Sequence, residues 1–451
     1  MADLVQQDLP KMINRIITKI RTDRFYLDSL ILTLFTILGN LFAFLVNIIY
    51  TWTLPPGQYG AVMSINSLIN ILGTVAIAFR MFNVRETTEL ASKGLYSKAI
   101  NVSYKFALYS FAFLMITFIL LTPLYSHLIS FMNVDYFPLL IALIIIALTY
   151  LINITSSLFQ SLKMFLFLGI VSFSYPFIRF VLTYPYIKVW NGYIGATASM
   201  LVGIIASFVL TSIILLLNRT NYNQSTSNNN DEKIELSYFV PLIPIVLINL
   251  SYSILNFGDV IFSRRYFNEI ATDIFAIAST IAKANLFVII PISYVVLPRM
   301  IEDLSTRGYR ASVITLFKGL ALAIASSLAY ALFIFLFSDI ILKIFGERYL
   351  EAKPILFLFT IAFIPIGVSF ILINYSITFK NWYFIIPLLI ADLALIGGFM
   401  IFHSTFEEMI MVDLVVGLLL FISLILLVTF SKKPKPLTPE EVTVSEKITQ
   451  V

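Results

Sequence analysis

The sequence has no cysteine and only two histidines, so it is poor in side chains that hold metal ions or act as nucleophiles. Without cysteine it has no disulfide framework and no thiolate site. His127 and His403 lie far apart in the chain, which disfavours a histidine metal centre. It also has no phosphate-binding Gly-rich loop and no Cys/His nucleophile pattern. We therefore expect a protein that is not an enzyme and has no metal site and no cofactor.

Charge is also scarce. Only 12% of the residues are charged, whereas a soluble globular chain has about 25%. The hydrophobic share is 59%, and the mean hydropathy is +0.93. Lipid is therefore the expected surrounding of most of the chain. The net charge of +5 is modest and fits basic residues placed along a membrane protein, so no nucleic-acid partner is expected.

Long apolar runs fill most of the sequence. A helix needs about 20 mostly apolar residues to cross the hydrocarbon, and a helix satisfies its own backbone groups there. The sequence therefore predicts an all-α, polytopic membrane protein with twelve transmembrane helices. The predicted spans are 28–50, 61–82, 104–125, 137–160, 165–186, 194–217, 238–262, 272–297, 313–337, 354–378, 382–402 and 409–430.

The distribution of Lys and Arg predicts the orientation. With the N-terminus inside, 22 of the 30 basic residues fall on inner segments and six on outer segments. The other two, Arg179 and Lys283, lie within spans. Because inner loops of membrane proteins are enriched in Lys and Arg, we expect both termini to be cytoplasmic in a cell-membrane protein.

Three polar segments frame two groups of six spans. Residues 1–27 are basic and carry Ile at helical spacing, which is typical of an amphipathic helix on the cytoplasmic surface. An Asn-rich stretch within 218–237 reads as a cytoplasmic linker. Residues 431–451 form a cytoplasmic tail. The predicted lobes are an N-lobe (28–217) and a C-lobe (238–430).

The two halves resemble each other. RETTELASKG (85–94) and RMIEDLSTRG (299–308) share a pattern and occupy the same place, after the second span of each half. We expect them to be inner loops. Two further pairs lie 213 residues apart: Asn66 with Ser279, and Asn70 with Lys283. Six spans return the chain to its starting side, so the sequence predicts a parallel repeat about an axis along the membrane normal.

Polar stripes mark spans 1, 2, 7 and 8. We expect these spans to line a shared aqueous cleft, and the alternative is that the polar residues form hydrogen bonds between helices. The substrate-binding candidates on these stripes are Asn40, Asn47, Asn66, Asn70, Asn249, Tyr252, Asn256, Asp259 and Lys283.

Charged residues inside spans are costly and usually face a cavity. Lys283 is the deepest cation, and it either faces the cleft or forms a structural ion pair with Asp259. Arg179 and Arg80 are further substrate-binding candidates. Asp392 lies mid-span and either carries a coupling proton or bonds a neighbouring helix.

Asp413 lies near a span end and is expected at the interface. The deep charges are more basic than acidic, and a basic cleft suits an anionic phosphate or pyrophosphate head group.

Three segments resemble a known family. LPPGQYGAVMSINSLINIL (54–72), ILNFGDVIFSRRYFNEIATDIFAIASTI (254–281) and IFGERYLEAKPILFLF (344–359) are similar to the polysaccharide and oligosaccharide-lipid exporters of the multidrug/oligosaccharidyl-lipid/polysaccharide (MOP) superfamily. The resemblance covers about residues 28–430. It implies a two-lobed, MATE-like bundle with a cationic cleft that flips lipid-linked oligosaccharides outward. ATDIF (271–275) departs from the family pattern, which often has Gly-x-Tyr there.

The leading hypothesis is thus a flippase for polyprenyl- or dolichyl-(pyro)phosphate-linked oligosaccharide, with membrane lipid as a second partner and no partner chain. The first alternative is a multidrug or metabolite exporter coupled to H+ or Na+. The second is a glycosyltransferase or ligase acting on the same lipid, for which His403, Glu407 and Glu408 form the one candidate cluster.

Overall fold

The computed structural model describes residues 24–92, 94–190, 192–218, 242–379 and 381–430. The predicted N-terminal amphipathic segment, the linker and the tail fall almost entirely outside these residues.

The described residues form fifteen α-helices and three short 3-10 helices. The α-helices are α1 (Arg24–Thr53), α2 (Tyr59–Gly73), α3 (Val75–Ser92), α4 (Tyr96–Leu121), α5 (Tyr125–Met132), α6 (Tyr136–Ser161), α7 (Phe165–Trp190), α8 (Tyr193–Asn218), α9 (Leu242–Tyr266), α10 (Glu269–Lys283), α11 (Leu286–Arg307), α12 (Tyr309–Phe345), α13 (Lys353–Thr378), α14 (Ile385–Ile401) and α15 (Phe406–Phe430). The 3-10 helices are Thr122–Leu124, Glu347–Ala352 and Trp382–Phe384.

Twelve helical segments are long and apolar enough to cross a membrane, which confirms the predicted all-α polytopic fold. Span 2 consists of α2 and α3, and span 8 of α10 and α11; every other span holds a single α-helix. The short α5 joins spans 3 and 4 and was not predicted. α12 has 37 residues and runs beyond the predicted ninth span at both ends.

The two lobes repeat the same packing. In the N-lobe, α1 packs on α7, and α6 packs on α3, α4 and α8. In the C-lobe, the equivalent α9 packs on α14, and the equivalent α13 packs on α11, α12 and α15. The predicted parallel two-fold repeat is therefore confirmed by which helices pack together.

Both halves break their second span near its middle. α2 ends at Gly73, and α3 starts two residues later. α10 ends at Lys283, and α11 starts at Leu286. The break in span 8 frees the Ile281 carbonyl from its full helical bonding, and the Tyr330 hydroxyl donates to it at 2.6 Å. Interrupted helices at the midplane of repeat-built transporters commonly flank binding sites.

The repeated phrases are not loops, which corrects the prediction. They form the ends of α3 and α11, and each finishes at a glycine with positive φ: Gly94 at +76° and Gly308 at +85°. Glycine is favoured there because it adopts the left-handed backbone without a Cβ penalty. Apolar residues near the ends of these helices are buried. The described charged residues of the two phrases lie within the helices and do not end them.

A buried polar network holds α3 to α4 and α6. The Asn83 amide nitrogen donates to Ser103 Oγ at 2.7 Å and to Ser157 Oγ at 2.6 Å, and its side chain is fully buried. Buried polar groups in a membrane bundle need such partners, since lipid offers none.

Replacing Asn83 with Ala is expected to lower the free energy of unfolding by about 1–3 kcal/mol, because two hydroxyls lose their buried partner. The measurement is thermal unfolding of the purified protein in detergent. The control is the same change at the exposed Asn101, and equal effects at both positions would contradict the role of the network.

Candidate functional site

The two lobes meet where spans 2 and 8 break. The Thr74 hydroxyl, between α2 and α3, lies 2.6 Å from the Ser253 hydroxyl of α9. The Tyr59 hydroxyl of α2 lies 3.1 Å from the Thr280 hydroxyl of α10. Both contacts cross from one lobe to the other. Span 2 of the N-lobe therefore contacts spans 7 and 8 of the C-lobe near the two breaks.

Lys283 stands at the C-terminal end of α10, at the break itself. Its ammonium nitrogen lies 2.6 Å from Asp259 Oδ1 and 2.7 Å from Oδ2. Lys283 remains 13% exposed, whereas Asp259 is 1% exposed. Both carboxylate oxygens of Asp259 thus face one cation. The structure shows the ion pair that the sequence left open, and the lysine is its more accessible member.

A second buried carboxylate lies close to this pair. Asp413 of α15 is 3% exposed and interacts electrostatically with both Asp259 and Lys283. It is thus buried inside the C-lobe. Its Oδ2 is buried without a hydrogen-bond partner within the described part of the chain. The Ser279 hydroxyl, one turn before Lys283, donates to Asp259 Oδ2 at 2.8 Å.

Three aromatic rings lie near the ammonium. The Lys283 nitrogen lies 5.9 Å from the ring centre of Phe257, 6.0 Å from that of Phe359 and 5.7 Å from that of Phe363. The negative faces of aromatic rings attract a cation at this range. Asn285, two residues on, is fully buried, and neither polar atom of its amide has a hydrogen-bond partner among the described residues.

A separate polar cluster lies between α9 and α14. Asp392 is 6% exposed and lies beside Ser251, and its Oδ1 has no partner in the described part of the chain. On another side of α9, where the Tyr252 ring packs against Phe370 of α13, the buried Tyr252 hydroxyl and Asn256 Oδ1 also have no partner in that part. Three side chains predicted for the cleft or for coupling, Tyr252, Asn256 and Asp392, thus lie inside the C-lobe with unused oxygens.

Several predicted asparagines are bonded to their own helix. The side-chain amides of Asn47, Asn249 and Asn256 each donate to the carbonyl four residues earlier, at 3.3, 2.8 and 2.6 Å. These donors therefore do not link helices. Asn66 and Asn70 are half-buried on α2, and Asn40 is exposed on α1.

The two predicted arginines have different surroundings. Arg179 is 8% exposed inside the N-lobe and donates to the Tyr50 hydroxyl at 3.0 Å. Its guanidinium also contacts Tyr175 of α7, so its observed partners are neutral tyrosine hydroxyls of the N-lobe. Arg80 of α3 is half-buried and reaches Gln160 Oε1 at only 3.4 Å, and its Nε is buried without a partner in the described part of the chain.

One end of the interface between the lobes is closed by Asp273, which the sequence analysis missed. Its carboxylate accepts the backbone N–H of Gly57 and of Gly60, both at 2.7 Å. These N–H groups stand at the start of α2, so a C-lobe carboxylate caps an N-lobe helix. We call this end the closed face; the sequence predicts that it is the outer side. Its partners are backbone N–H groups, so no pattern of residue types pointed to this contact.

Two arginines of the C-lobe add to the closed face. Arg264 Nη1 donates to the Gly57 carbonyl at 3.3 Å, and its Nη2 donates to the Asn133 carbonyl at 3.1 Å. Arg348 Nη2 donates to the carbonyls of Thr51 and Leu54 at 2.7 and 3.1 Å. In each case a charged C-lobe side chain donates to a backbone carbonyl of the N-lobe. A substitution of the C-lobe arginine alone would therefore remove the bond.

Gly60 permits the close approach of the lobes. A Cβ at this position would lie 2.5 Å from Thr272 Cγ2 and 3.1 Å from the Thr272 backbone carbon. We expect Gly60→Val to separate the lobes at the closed face. Because the chain has no cysteine, the measurement is the maleimide labelling rate of a single Cys at Thr280, which should rise. The control is Gly397→Val, since Gly397 has nothing within 4 Å of its Cβ position; equal rates in both variants would contradict this account.

The candidate cluster of His403, Glu407 and Glu408 is not assembled as a metal site. Within the described ranges, no group of three or more His, Asp or Glu side chains is arranged to hold a metal ion. The His403 ring stacks on Tyr266 at 3.8 Å, and Glu408 accepts the Ser404 N–H at 2.8 Å.

Comparison with known proteins identifies the fold. No family model and no curated protein matches the sequence. Among solved structures, the chain is similar to an inward-facing multidrug resistance MATE family transporter of the MOP superfamily, with 16% identity, a TM-score of 0.66, and coverage of 87% of this chain and 94% of that one. An outward-facing MATE transporter has 16% identity and a TM-score of 0.56, with 89% and 95% covered.

A MOP superfamily transporter from Pyrococcus furiosus is similar at 14% identity and a TM-score of 0.57, with 89% and 95% covered. At such identities the likeness concerns the fold, and it extends over nearly the whole length of each relative. The chain therefore has the twelve-helix, two-lobed fold of the MATE transporters of the MOP superfamily.

Proposed function

We propose that the protein is a cell-membrane flippase that moves a polyprenyl- or dolichyl-(pyro)phosphate-linked oligosaccharide from the inner to the outer leaflet. The observation that carries this proposal is Lys283, a partly exposed cation placed where span 8 breaks at the meeting of the two lobes. A phosphate or pyrophosphate is the natural partner of a cation in such a low-dielectric surrounding. Both termini would be cytoplasmic.

The transport step would be an exchange between two arrangements of the lobes. With the closed face sealed by Asp273, Arg264 and Arg348, the head group would enter from the cytoplasmic side. Arg80, whose guanidinium has spare donors, lies between that side and Lys283 and would receive it first. The half-buried Asn66 and Asn70 of α2 would meet sugar hydroxyls, while the lipid tail stays in the bilayer.

Opening would then require the closed face to release. The bonds there join charged side chains to backbone groups and have no covalent component, so rocking of one lobe on the other breaks them together. The higher TM-score with the inward-facing MATE transporter than with the outward-facing one, 0.66 against 0.56, supports the assignment of the closed face to the outside. The P. furiosus relative is described as having a binding pocket of reversed polarity that suggests a different function, which fits a fold able to serve substrates of opposite charge.

Depletion of the protein in cells tests the proposal. We expect lipid-linked oligosaccharide to accumulate in the inner leaflet and to decline in the outer leaflet, measured by a leaflet-resolved enzymatic labelling of the glycan. Restoring the protein should restore the outer pool. Unchanged outward movement after depletion would reject the flippase function.

A second candidate is an exporter coupled to H+ or Na+. The buried carboxylates of Asp392 and Asp413, each with an oxygen that has no partner in the described part of the chain, favour it. Asp392 would then carry the coupling ion. Drug sensitivity of cells lacking the protein, together with a normal outer-leaflet glycan pool, would favour this candidate over the flippase.

A further inference from the structure

The Lys283 ammonium, which we assign to the substrate head group, is already paired with Asp259. Both oxygens of Asp259 lie within 2.7 Å of the Lys283 nitrogen. An ammonium paired this closely is largely neutralised, and a buried pair keeps its partners together because each charge would otherwise be left desolvated. An arriving head group therefore cannot simply add to Lys283. It has to replace the carboxylate.

We propose that Asp259 is an internal competitor of the anionic head group for Lys283. This inference rests on the proposed function and specifies how its site is loaded and emptied. Before a head group binds, the carboxylate stands in for the phosphate and keeps the site close to neutral. A bound head group takes over the ammonium, and Asp259 is released to its other partner.

The exchange is possible because the two members of the pair have different exposure. Lys283 is 13% exposed and is the last residue of α10, whereas Asp259 is 1% exposed and lies about two turns before the end of α9. The lysine has a long, flexible side chain, and the three surrounding phenylalanine rings attract its charge without offering an acceptor that binds it in one direction. The lysine side chain can therefore turn towards the interface between the lobes while Asp259 stays in place.

Asp259 retains support when the lysine leaves. The Ser279 hydroxyl donates to Oδ2 at 2.8 Å independently of the lysine. The nearby carboxylate of Asp413 opposes this state, since two buried carboxylates then share no cation. That repulsion draws the lysine back. The same carboxylates that delay loading therefore favour release of the head group once the site opens on the other side.

The Asn285 amide provides a partner for the arriving anion. It is fully buried two residues after Lys283, immediately before α11 begins, and both of its polar atoms lack a partner among the described residues. A head group on Lys283 would lie near this unused donor. Asp259 already has Ser279 as a partner, so the Asn285 amide favours the substrate over its competitor.

The test is binding of farnesyl pyrophosphate, a water-dispersible prenyl pyrophosphate, to the purified full-length protein in detergent, measured by isothermal titration calorimetry. Asp259→Asn should lower the dissociation constant about tenfold or more, because the ammonium no longer has an anionic competitor. Lys283→Gln and the double variant Asp259→Asn/Lys283→Gln should both lose binding. Asp339→Asn is the matched control, since it removes the carboxylate of an exposed Lys–Asp pair with the same 2.7 Å spacing, and it should leave binding unchanged.

A second variant tests the same proposal if Asp259→Asn folds poorly. Lys283→Arg keeps the charge and the pair, but a guanidinium has donors left for a second anion, so binding should tighten several-fold. Unchanged or weaker binding in whichever of the two variants melts like the wild type would overturn the proposal. If these binding changes occur while export of the lipid-linked glycan is normal without the protein, the competition stands and the proposed substrate falls.

Discussion

Lys283→Ala is expected to reduce export of the lipid-linked oligosaccharide by at least about 30-fold. Removing one member of a desolvated ionic contact typically costs about 2–5 kcal/mol, and the variant leaves no ammonium at the break in span 8. It also leaves Asp259 buried beside Asp413 without its cation. The measurement is the outer-leaflet glycan in cells that contain equal amounts of the wild-type or variant protein.

A companion variant separates loss of transport from loss of stability. Breaking a buried pair costs about 3–5 kcal/mol, and removing both partners avoids the uncompensated charge. Lys283→Ala/Asp259→Ala should therefore recover the melting temperature without recovering export. If Lys283→Ala alone exported at the wild-type rate, the lysine would have no role in the substrate site.

Asp273→Ala is expected to open the closed face. The variant loses both 2.7 Å bonds to the start of α2 and removes the negative charge at that helix N-terminus. Hydrogen bonds to a charged group contribute about 1.5–3 kcal/mol each, which is enough to shift an equilibrium between two arrangements of the lobes by more than tenfold. A single Cys at Thr280, which lies below this face, should become labelled by maleimide at least about ten times faster.

The labelling experiment has an internal reference. A Cys at the exposed Glu351 should react at the same rate in wild-type and variant backgrounds. Asp273→Asn retains one acceptor oxygen and should give an intermediate rate at position 280. If the Asp273→Ala rate equalled the wild-type rate, the two backbone bonds would not hold the lobes together.

The sequence was sufficient for the architecture. Span length, the bias of Lys and Arg, and the repeated phrases together predicted twelve helices in two equivalent lobes, because lipid imposes these features directly on the sequence. The breaks in spans 2 and 8 were not predicted. No proline marks Thr74 or Ala284, so neither break carries the commonest sequence signal for a kink. The short α5 was missed because its eight residues are as apolar as the spans around it.

The site was predictable in part. The depth of Lys283 and the offset between the halves identified the residue, but helical spacing could not decide which way its ammonium turns. The pairing with Asp259 depends on the angle between α9 and α10, which no local pattern encodes. The partner of Arg179 could not be predicted for the same reason, since Tyr50 reaches it from another helix. Asp273 was overlooked because its ligands are backbone N–H groups, which leave no residue-type signature.

Distances across both ends of the molecule test most directly whether the lobes alternate. Spin labels at Lys188 and Glu351 report on the closed face, and labels at Asn101 and Arg310 report on the opposite end; all four positions are exposed. In Asp273→Ala, double electron–electron resonance should show the first distance lengthening and the second shortening. If both distances stayed as in the wild type, or if both lengthened together, the two lobes would not exchange access around Lys283.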